Sequence, residues 1–509
     1  MIPKPPFARD LTPEREIAEF ERLKPRLLEL WNALSAREEE PYTSVVIPSL
    51  TLDRAELAKL EAASFYEERL LFLLIRLRNP QARMVYVTSE PIHPLILEYY
   101  FQLLAGIPAS HARSRLTLLC AYDSSPRSLT EKILERPRLI QRIRYGIADP
   151  SRAFMTVFNS TPLERKLAVL LGIPLNGVDP ALTRLGTKSG GRKLFREAGV
   201  PLPAGSEDLR SQDDVLAALV ELKDRHPRTK RAVLKFDDSF SGEGNAIFTY
   251  PKVSWRGAIR DGLNRLAFSV PNETTEGYYR KFAEMGGIVE EYLEFPRSAS
   301  PSVQLRIDPQ GEVVLLSTHD QILGGPSNQV YLGCRFPAAE PYRRQIQSAA
   351  RAVGASLAAR GVVSRFGVDF FVGRRRGEDS EWEVYALEIN LRIGGTTHPF
   401  LALQFLTGGK LDGESGAFRS PRDIEKFYRS TDNLKSEAYR GLCPEDLIDI
   451  TTINRLHYSH GTETGVLFHM IGALSQYGKV GLTAIGNSPE QADEIFENAL
   501  AVLDREASR

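Results

Sequence analysis

The hydrophobic pattern changes character twice along the chain. Residues 11–40 are charged and helix-favouring, with leucines spaced for one apolar face. An alternation follows. The runs "SVVIPSL" (44–50), "RMVYVTS" (83–89), "RLTLLCAY" (115–122) and "AFMTVFNS" (153–160) predict four strands. Residues 54–78, "PLILEYYFQLLAG" ending at Gly106, and 128–145 predict helices between them, and another helix starts at Thr161 and stops near Gly172. Strands alternating with helices predict a parallel sheet covered on both faces, an α/β domain over residues 1–178. No G-x-G-x-x-G follows its first strand, so a dinucleotide site is not predicted.

From residue 180 the texture changes. "LTRLGTKSGGRKLFREAGVPLPAG" reads as a glycine-rich turn, a helix and a Gly-Val-Pro-x-Pro stop. A helix at 212–226, the strand "AVLKF", a Ser/Gly loop at 239–245, a helix near 274–286 and the strand "GIVEEYL" follow. Longer strands come next: "SVQLRI", "EVVLLSTHDQIL" and "QVYLGCRF". A helix at 342–360 precedes "FGVDFFV" and "WEVYALEINL". These features predict an α+β region over 179–425. Residues 426–509 predict a small α+β domain of two helices and the strand pair "GVLFHMIGAL" and "KVGLTAIG".

Charge narrows the partners. Lysine plus arginine equals aspartate plus glutamate, 65 against 65 in 509 residues, so nothing draws the chain as a whole to nucleic acid or to an anionic membrane. The three cysteines form no C-x-x-C pair, which points to a reducing cytoplasm and to cysteines that serve as packing residues. "MIPKPPFARD" has no apolar signal region, and the longest apolar run, "LLFLLI" (70–75), is far too short to span a bilayer. A soluble cytoplasmic protein is expected.

The chemistry concentrates in "LEINLRIGGTTHP" (387–399). On a strand, Glu388, Asn390 and Arg392 share one face. Asp369 lies on the preceding strand. A hairpin about the polar loop near Glu378 and Asp379 places it opposite Glu388. Two carboxylates and an amide oxygen then converge, the hard-oxygen set that magnesium prefers. An acidic surface hairpin is the alternative, but Phe370, Phe371, Tyr385 and Leu387 mark this pair as core, where acids need a partner. There is no G-x-x-x-x-G-K-[ST] loop and no protein-kinase motif set. Instead Lys188 begins a helix, Lys235 ends "AVLKF", and the loop with Ser241, Gly242 and Gly244 follows at once. Glycines let backbone N–H groups approach phosphate, and lysines add charge. Arg365 reads as a strand-end charge, His319 as a hydrogen-bonded strand histidine, and His457 with His460 as no metal pair.

The order of these parts resembles the ATP-grasp superfamily over about 180–420. The resemblance implies ATP and Mg2+ as cofactors. It implies that Lys188 and Lys235 meet the phosphates beside a loop holding Ser241, Gly242 and Gly244. In "VEEYLE" it implies that Glu290, Tyr292 and Leu293 surround adenine and that Glu294 meets the ribose. It makes Asp369, Glu388 and Asn390 the metal ligands. "EINLR" with "THP" is also similar to biotin carboxylases, which implies that Arg392, with Arg306 as a second candidate, stabilises an acyl phosphate, and that Gly394, Gly395, Thr396 and His398 face substrate. The whole chain resembles the peptide ligases of the pheganomycin type through "STHDQILGGPSNQVYLGCRFPA", "EINLRIGGTTHP" and "GVLFHMIGAL". That likeness implies a Rossmann-like pre-ATP-grasp domain (1–178), an ATP-grasp core (179–425) and a small C-terminal domain (426–509). It further implies a peptide ligase of natural-product biosynthesis, joining a small carboxylate, an amino acid or a modified one, to an amine or peptide acceptor, with homodimers common among its relatives. An ATP-grasp carboxylase or kinase, and a nucleotide-binding regulatory protein, stand as alternatives.

Overall fold

The computed structural model describes residues 11–508 apart from 38, 105, 239–243, 254, 270–272, 325–329, 376 and 378–380. Five short strands, β1 (Thr43–Ile47), β2 (Arg83–Thr88), β3 (Leu116–Cys120), β4 (Ala153–Val157) and β5 (Leu175–Asn176), form a parallel sheet in the order β3-β2-β1-β4-β5. β1 and β4 are buried at every position, as strands covered on both faces must be. The helix Pro162–Leu171 opens on a capping box, with the Thr161 hydroxyl accepting from the Leu163 N–H at 3.1 Å and Glu164 accepting from the Thr161 N–H at 2.8 Å. It closes at Gly172, whose φ of +71° suits a residue without Cβ.

Two helical expectations are corrected here. Residues 128–145 form two helices, Leu129–Leu134 and Pro137–Gly146, because Pro137 has no N–H to continue the first. Residues 54–78 form a short helix, Arg54–Lys59, then a 3₁₀ run, Ala63–Arg78, entered through Ala62 at φ +62°. That run is buried along most of its length and packs against the helix Thr397–Thr407, so tertiary contact sets its winding.

A second, antiparallel sheet holds β6 (Gly205–Leu209), β7 (Arg231–Phe236), β8 (Asn245–Thr249), β9 (Ala267–Phe268) and β10 (Gly287–Glu291) in the order β6-β10-β7-β8-β9. The third sheet begins with β11 (Arg297–Ala299), β12 (Pro301–Ile307), β13 (Val313–Gly324), β14 (Val330–Phe336), β15 (Ser364–Arg374) and β16 (Trp382–Asn390). A separate pair, β17 (Lys410–Leu411) and β18 (Phe418–Arg419), follows. Then β19 (Phe427–Lys435), β20 (Gly465–His469) and β21 (Lys479–Gly486) extend the third sheet. Its order is β11-β15-β12-β13-β14-β19-β21-β20, with β16 also on β15. The strand pair expected near the end of the chain is therefore joined to the larger sheet. β19, polar at most positions and not predicted, pairs with β14 on one side and β21 on the other. One buried apolar cluster links Val46 and Leu71 through Phe400 to Leu482 and Phe496. It ties one face of the parallel sheet to the last strands of the chain.

Candidate active site

The hairpin of β15 and β16 pairs Asp369 with Glu388 and Gly367 with Asn390. The turn itself, with Glu378 and Asp379, lies outside the described residues. Asn390 Nδ2 donates to Asp369 Oδ2 at 2.9 Å, and Gln321 Nε2 on β13 donates to Oδ1 at 2.9 Å. Burial first, then the adjacent Glu388, push the Asp369 carboxyl up to about 7. Burial acts on Glu388 in the same direction. Lys188, Arg392 and Lys235 outweigh it and hold Glu388 below the ordinary carboxylate value. Lys188 Nζ donates to Glu388 Oε1 at 2.6 Å.

Local packing delivers that lysine. The helix Lys188–Glu197 starts at Thr187, whose hydroxyl accepts from the Gly190 N–H at 3.0 Å. A Cβ on Gly190 would lie 2.0 Å from the Arg184 carbonyl oxygen, and one on Gly186 would lie 3.2 Å from Leu391. Gly186 lets the helix start close against the end of β16, and Gly190 lets its first turn close on the preceding Arg184 carbonyl. The Asp237 carbonyl accepts from the Lys188 N–H at 3.0 Å, and Asp237 Oδ1 accepts from the Ser189 N–H at 2.8 Å. The helix start is thereby tied to the end of β7, where Lys235 sits.

A cleft of about 350 Å³ opens over these groups, and Lys235, Glu290, Asp369, Glu388, Asn390 and Arg392 line it. Gly394, Gly395 and Thr396 line it as well. Lys235 is ion-paired with one Glu290 oxygen, and Arg192 Nη1 is 3.2 Å from the other. Glu290 is therefore a buried acid between two cations. Tyr292 and Leu293 also line the cleft. The Tyr292 ring lies 3.9 Å from the Arg231 guanidinium, and its N–H donates to the Arg231 carbonyl at 3.1 Å. Gly244 is buried, with its carbonyl accepting from the Tyr278 hydroxyl at 3.1 Å. Ser241 and Gly242 lie outside the described residues.

Lys188 and Gly244 are not on the cleft wall, and three further expected site residues stand apart from it. Glu294 turns to Arg231, whose Nε donates to it at 3.0 Å. Arg306 lines a second cavity and stacks on Trp31 at 4.7 Å. His398 is buried, with its ring centroid 4.0 Å from that of His469. Burial first, and His469 next, draw His398 well below the ordinary imidazole value. Asp432 lies beside both rings, with His469 Nε2 3.0 Å and His398 Nε2 3.6 Å from its Oδ1. The three ligand atoms have metal-like spacing, within 4.8 Å of one another. Arg69 Nη1, 3.2 Å from Asp432 Oδ2, already supplies the positive charge there.

Sequence reasoning missed Gln321, Arg69, Asp432 and His469. Each lies on an element distant in sequence from "EINLR"; Gln321 and His469 fall inside motifs already singled out, "STHDQIL" and "GVLFHMIGAL", whereas Arg69 and Asp432 do not. His319 is the hydrogen-bonded strand histidine expected, 2.6 Å from the Tyr428 hydroxyl, and burial draws its imidazole down to about 3. Cys334 is buried, but Cys443 is exposed at a helix start, which corrects the reading of all three cysteines as packing residues. No helix among the described residues is long and apolar enough to cross a membrane.

Asp369 and Glu388, with the Asn390 amide oxygen, fit a magnesium ion: hard oxygen donors close together, one carboxyl already raised by burial and by the other carboxylate. Comparisons with known proteins agree with this geometry. Residues 180–266 and 271–414 match the family model described as IQCH-like, ATP-grasp, and residues 446–498 match the PGM1 C-terminal domain. The chain is 32% identical over 468 residues to the L-propargylglycine–L-glutamate ligase of Streptantibioticus cattleyicolor, covering 91% of this chain and 94% of that protein. It is 24% identical over 455 residues to the IQ motif-containing protein H of Danio rerio, covering 80% of this chain and 42% of that longer protein. Among solved structures, the biotin carboxylase–β,γ-ATP complex from Campylobacter jejuni superposes with a TM-score of 0.54 at 13% identity, covering 92% of this chain and 95% of that one. The ADP complex of an N5-carboxyaminoimidazole ribonucleotide synthetase gives 0.52 at 12% identity, covering 92% and 98%. At such identities the structures share the fold.

Proposed function

Since this chain belongs to the ATP-grasp family, we propose that it is an ATP-dependent carboxylate–amine ligase that joins two small amino-acid substrates. The observation that carries this reading is the Asp369–Glu388 pair, set opposite one another with Lys188 on Glu388 and facing a cleft that Lys235 and Arg392 share. Residues 1–178, 179–425 and 426–509 are the pre-ATP-grasp, ATP-grasp and C-terminal parts on this reading. Magnesium, held by Asp369, Glu388 and Asn390, supplies charge neutralisation for the nucleotide phosphates.

The chain's own groups do the rest. Lys188 and Lys235 offset phosphate charge, and Tyr292 and Leu293 flank the base. In the first step a carboxylate oxygen bonds to the γ-phosphorus, the bond to the β,γ-bridging oxygen breaks, and ADP leaves. Arg392 faces the charge on the transferred group. In the second step the amine nitrogen bonds to the acyl carbon, phosphate leaves with the electron pair of the broken C–O bond, and the nitrogen gives up a proton. Such transfer depends mainly on positioning and charge neutralisation. Acyl phosphates hydrolyse, so a walled cleft that excludes water also protects the intermediate.

The test is nucleotide turnover with magnesium against pooled amino acids, with mass spectrometry of the products. ADP and phosphate released together with a new amide mass support the reading, and Glu388→Gln should lower turnover by about 10²–10³ while nucleotide binding persists. A carboxylated or phosphorylated product without an amide would replace it with the carboxylase or kinase alternative.

A further inference from the structure

Four arginines surround a cavity that the ligase reading leaves without a task. The cavity, about 280 Å³, lies between the helix Pro13–Ala36, the β4 face bearing Phe154 and Thr156, and the ends of β12 and β15. Arg76, Arg306, Arg365 and Arg392 line it. Arg306 and Arg365 are directly paired across β12 and β15, and like charges so placed repel. Arg306 Nε and Arg365 Nη1 are both buried and have no hydrogen-bond partner. Arg76 donates to two neutral hydroxyls, those of Ser44 and Thr156. Burial first, then Arg306 and Arg76, push the Arg365 guanidinium down to about 9. Arg76, Arg306 and Arg365 thus gather three guanidinium groups with Asp308 as the one acid on the cavity wall among the described residues, an excess of positive charge that a carboxylate completes.

Two more features narrow the ligand. The wall carries one carboxylate among the described residues, Asp308, whose Oδ1 accepts from the Gln310 N–H at 2.9 Å and the Glu312 N–H at 3.0 Å. Those bonds fix the acid in place, suited to meet an ammonium. Arg392 lines this cavity and the nucleotide cleft alike. Arg365 and Asp369 share one face of β15, four residues apart, so roughly 13 Å separates them along the strand. A γ-phosphoryl group and a short extended diacid fill that span.

We propose that the cavity binds an α-amino acid bearing a second carboxylate. Its α-carboxylate lies against Arg306 and Arg365, its ammonium against Asp308, and its distal carboxylate at Arg392 beside the nucleotide. The distal carboxylate is then the one activated, and that last part rests on the ligase reading. Arg306 and Arg365 act in substrate binding.

The test uses the full chain and isothermal titration with L-glutamate, L-aspartate, L-alanine, glutarate and inorganic phosphate. Each is titrated without nucleotide and with a non-hydrolysable ATP analogue plus magnesium. The expected result is saturable binding of L-glutamate or L-aspartate at least tenfold tighter than of the other three. Arg365→Gln should weaken it at least thirtyfold and Asp308→Asn at least tenfold, with the analogue's affinity unchanged within twofold. Relief of the Arg306–Arg365 repulsion keeps Arg365→Gln folded, and its melting temperature should equal or exceed that of the parent chain. The assignment is overturned if L-alanine or phosphate binds as tightly as the dicarboxylates, if no dicarboxylate binds in either condition, or if both variants bind like the parent. ADP release separates the two ideas. Arginine-dependent dicarboxylate binding without amide formation sinks the ligase reading and keeps the cavity assignment. Amide formation insensitive to Arg365→Gln does the reverse.

Discussion

Lys188→Met tests whether one ammonium is what allows two carboxylates to face each other across β15 and β16. Side chains directly opposite in a sheet lie ~5 Å apart. Two carboxylates at that distance repel by about 3 kcal/mol at an effective dielectric of ~20. Lys188 offsets this repulsion from 2.6 Å, and its side chain is 5% exposed, so solvent screens the contact little. Methionine keeps the length and the apolar stem and removes the charge. In EDTA the variant should lose roughly 3 kcal/mol, in the range for a broken buried pair. At roughly 1–1.4 °C per kcal/mol for a cooperative unit of this size, calorimetry should show a drop of about 3–4 °C in Tm. Millimolar magnesium should then raise the Tm of Lys188→Met by more than it raises that of the parent chain, because the ion meets two carboxylates with no ammonium beside them. Equal melting of the two proteins in EDTA, or no magnesium response in the variant, would refute this account of the pair.

Two further predictions rest on buried acids. Glu290→Gln leaves Lys235 and Arg192 facing each other without their shared carboxylate, and the denaturant midpoint should fall by the equivalent of about 3–5 kcal/mol; an unchanged midpoint would show that the three charges are not coupled. Burial, more than any neighbour, raises Glu68 from 4.5 to about 7. Its ionisation then favours the unfolded chain, so the parent loses up to about 3 kcal/mol relative to Glu68→Gln as pH rises from 4.5 through 7. Urea titrations of both proteins at pH 5 and pH 8 read that difference, and a gap that narrows with rising pH would contradict it.

The parts of the site that were legible in the sequence are those that local rules govern. Strand periodicity put Glu388 and Asn390 on one face, and a hairpin put Asp369 opposite Glu388; the register agrees for these three, whereas Arg392, expected on the same strand, lies two residues beyond the end of β16. Thr161 and Gly172 marked a helix because capping chemistry is local. What escaped depends on pairing between distant segments. Arg365 looked like a strand-end charge until β12 set Arg306 beside it. Gln321 reaches Asp369 only because β13 follows β12 in the sheet. The winding of Ala63–Arg78 is set by packing on a helix more than three hundred residues away. Phe427–Lys435 is a strand because β14 and β21 offer it hydrogen bonds on both sides, which outweighs its polar composition.

The ladder that runs from β14 through β19 into β21 has a consequence for how this molecule comes apart. A hydrogen-bonded seam transmits unfolding across itself, so the segment after residue 426 and the catalytic sheet form one cooperative unit. Loss of that segment would strip β14 of its neighbour and leave an open sheet edge, the kind of surface on which chains assemble into aggregates. It would also remove Asp432 and His469 from behind the cleft. Proteolysis within β19 should therefore release insoluble material in place of a smaller working enzyme.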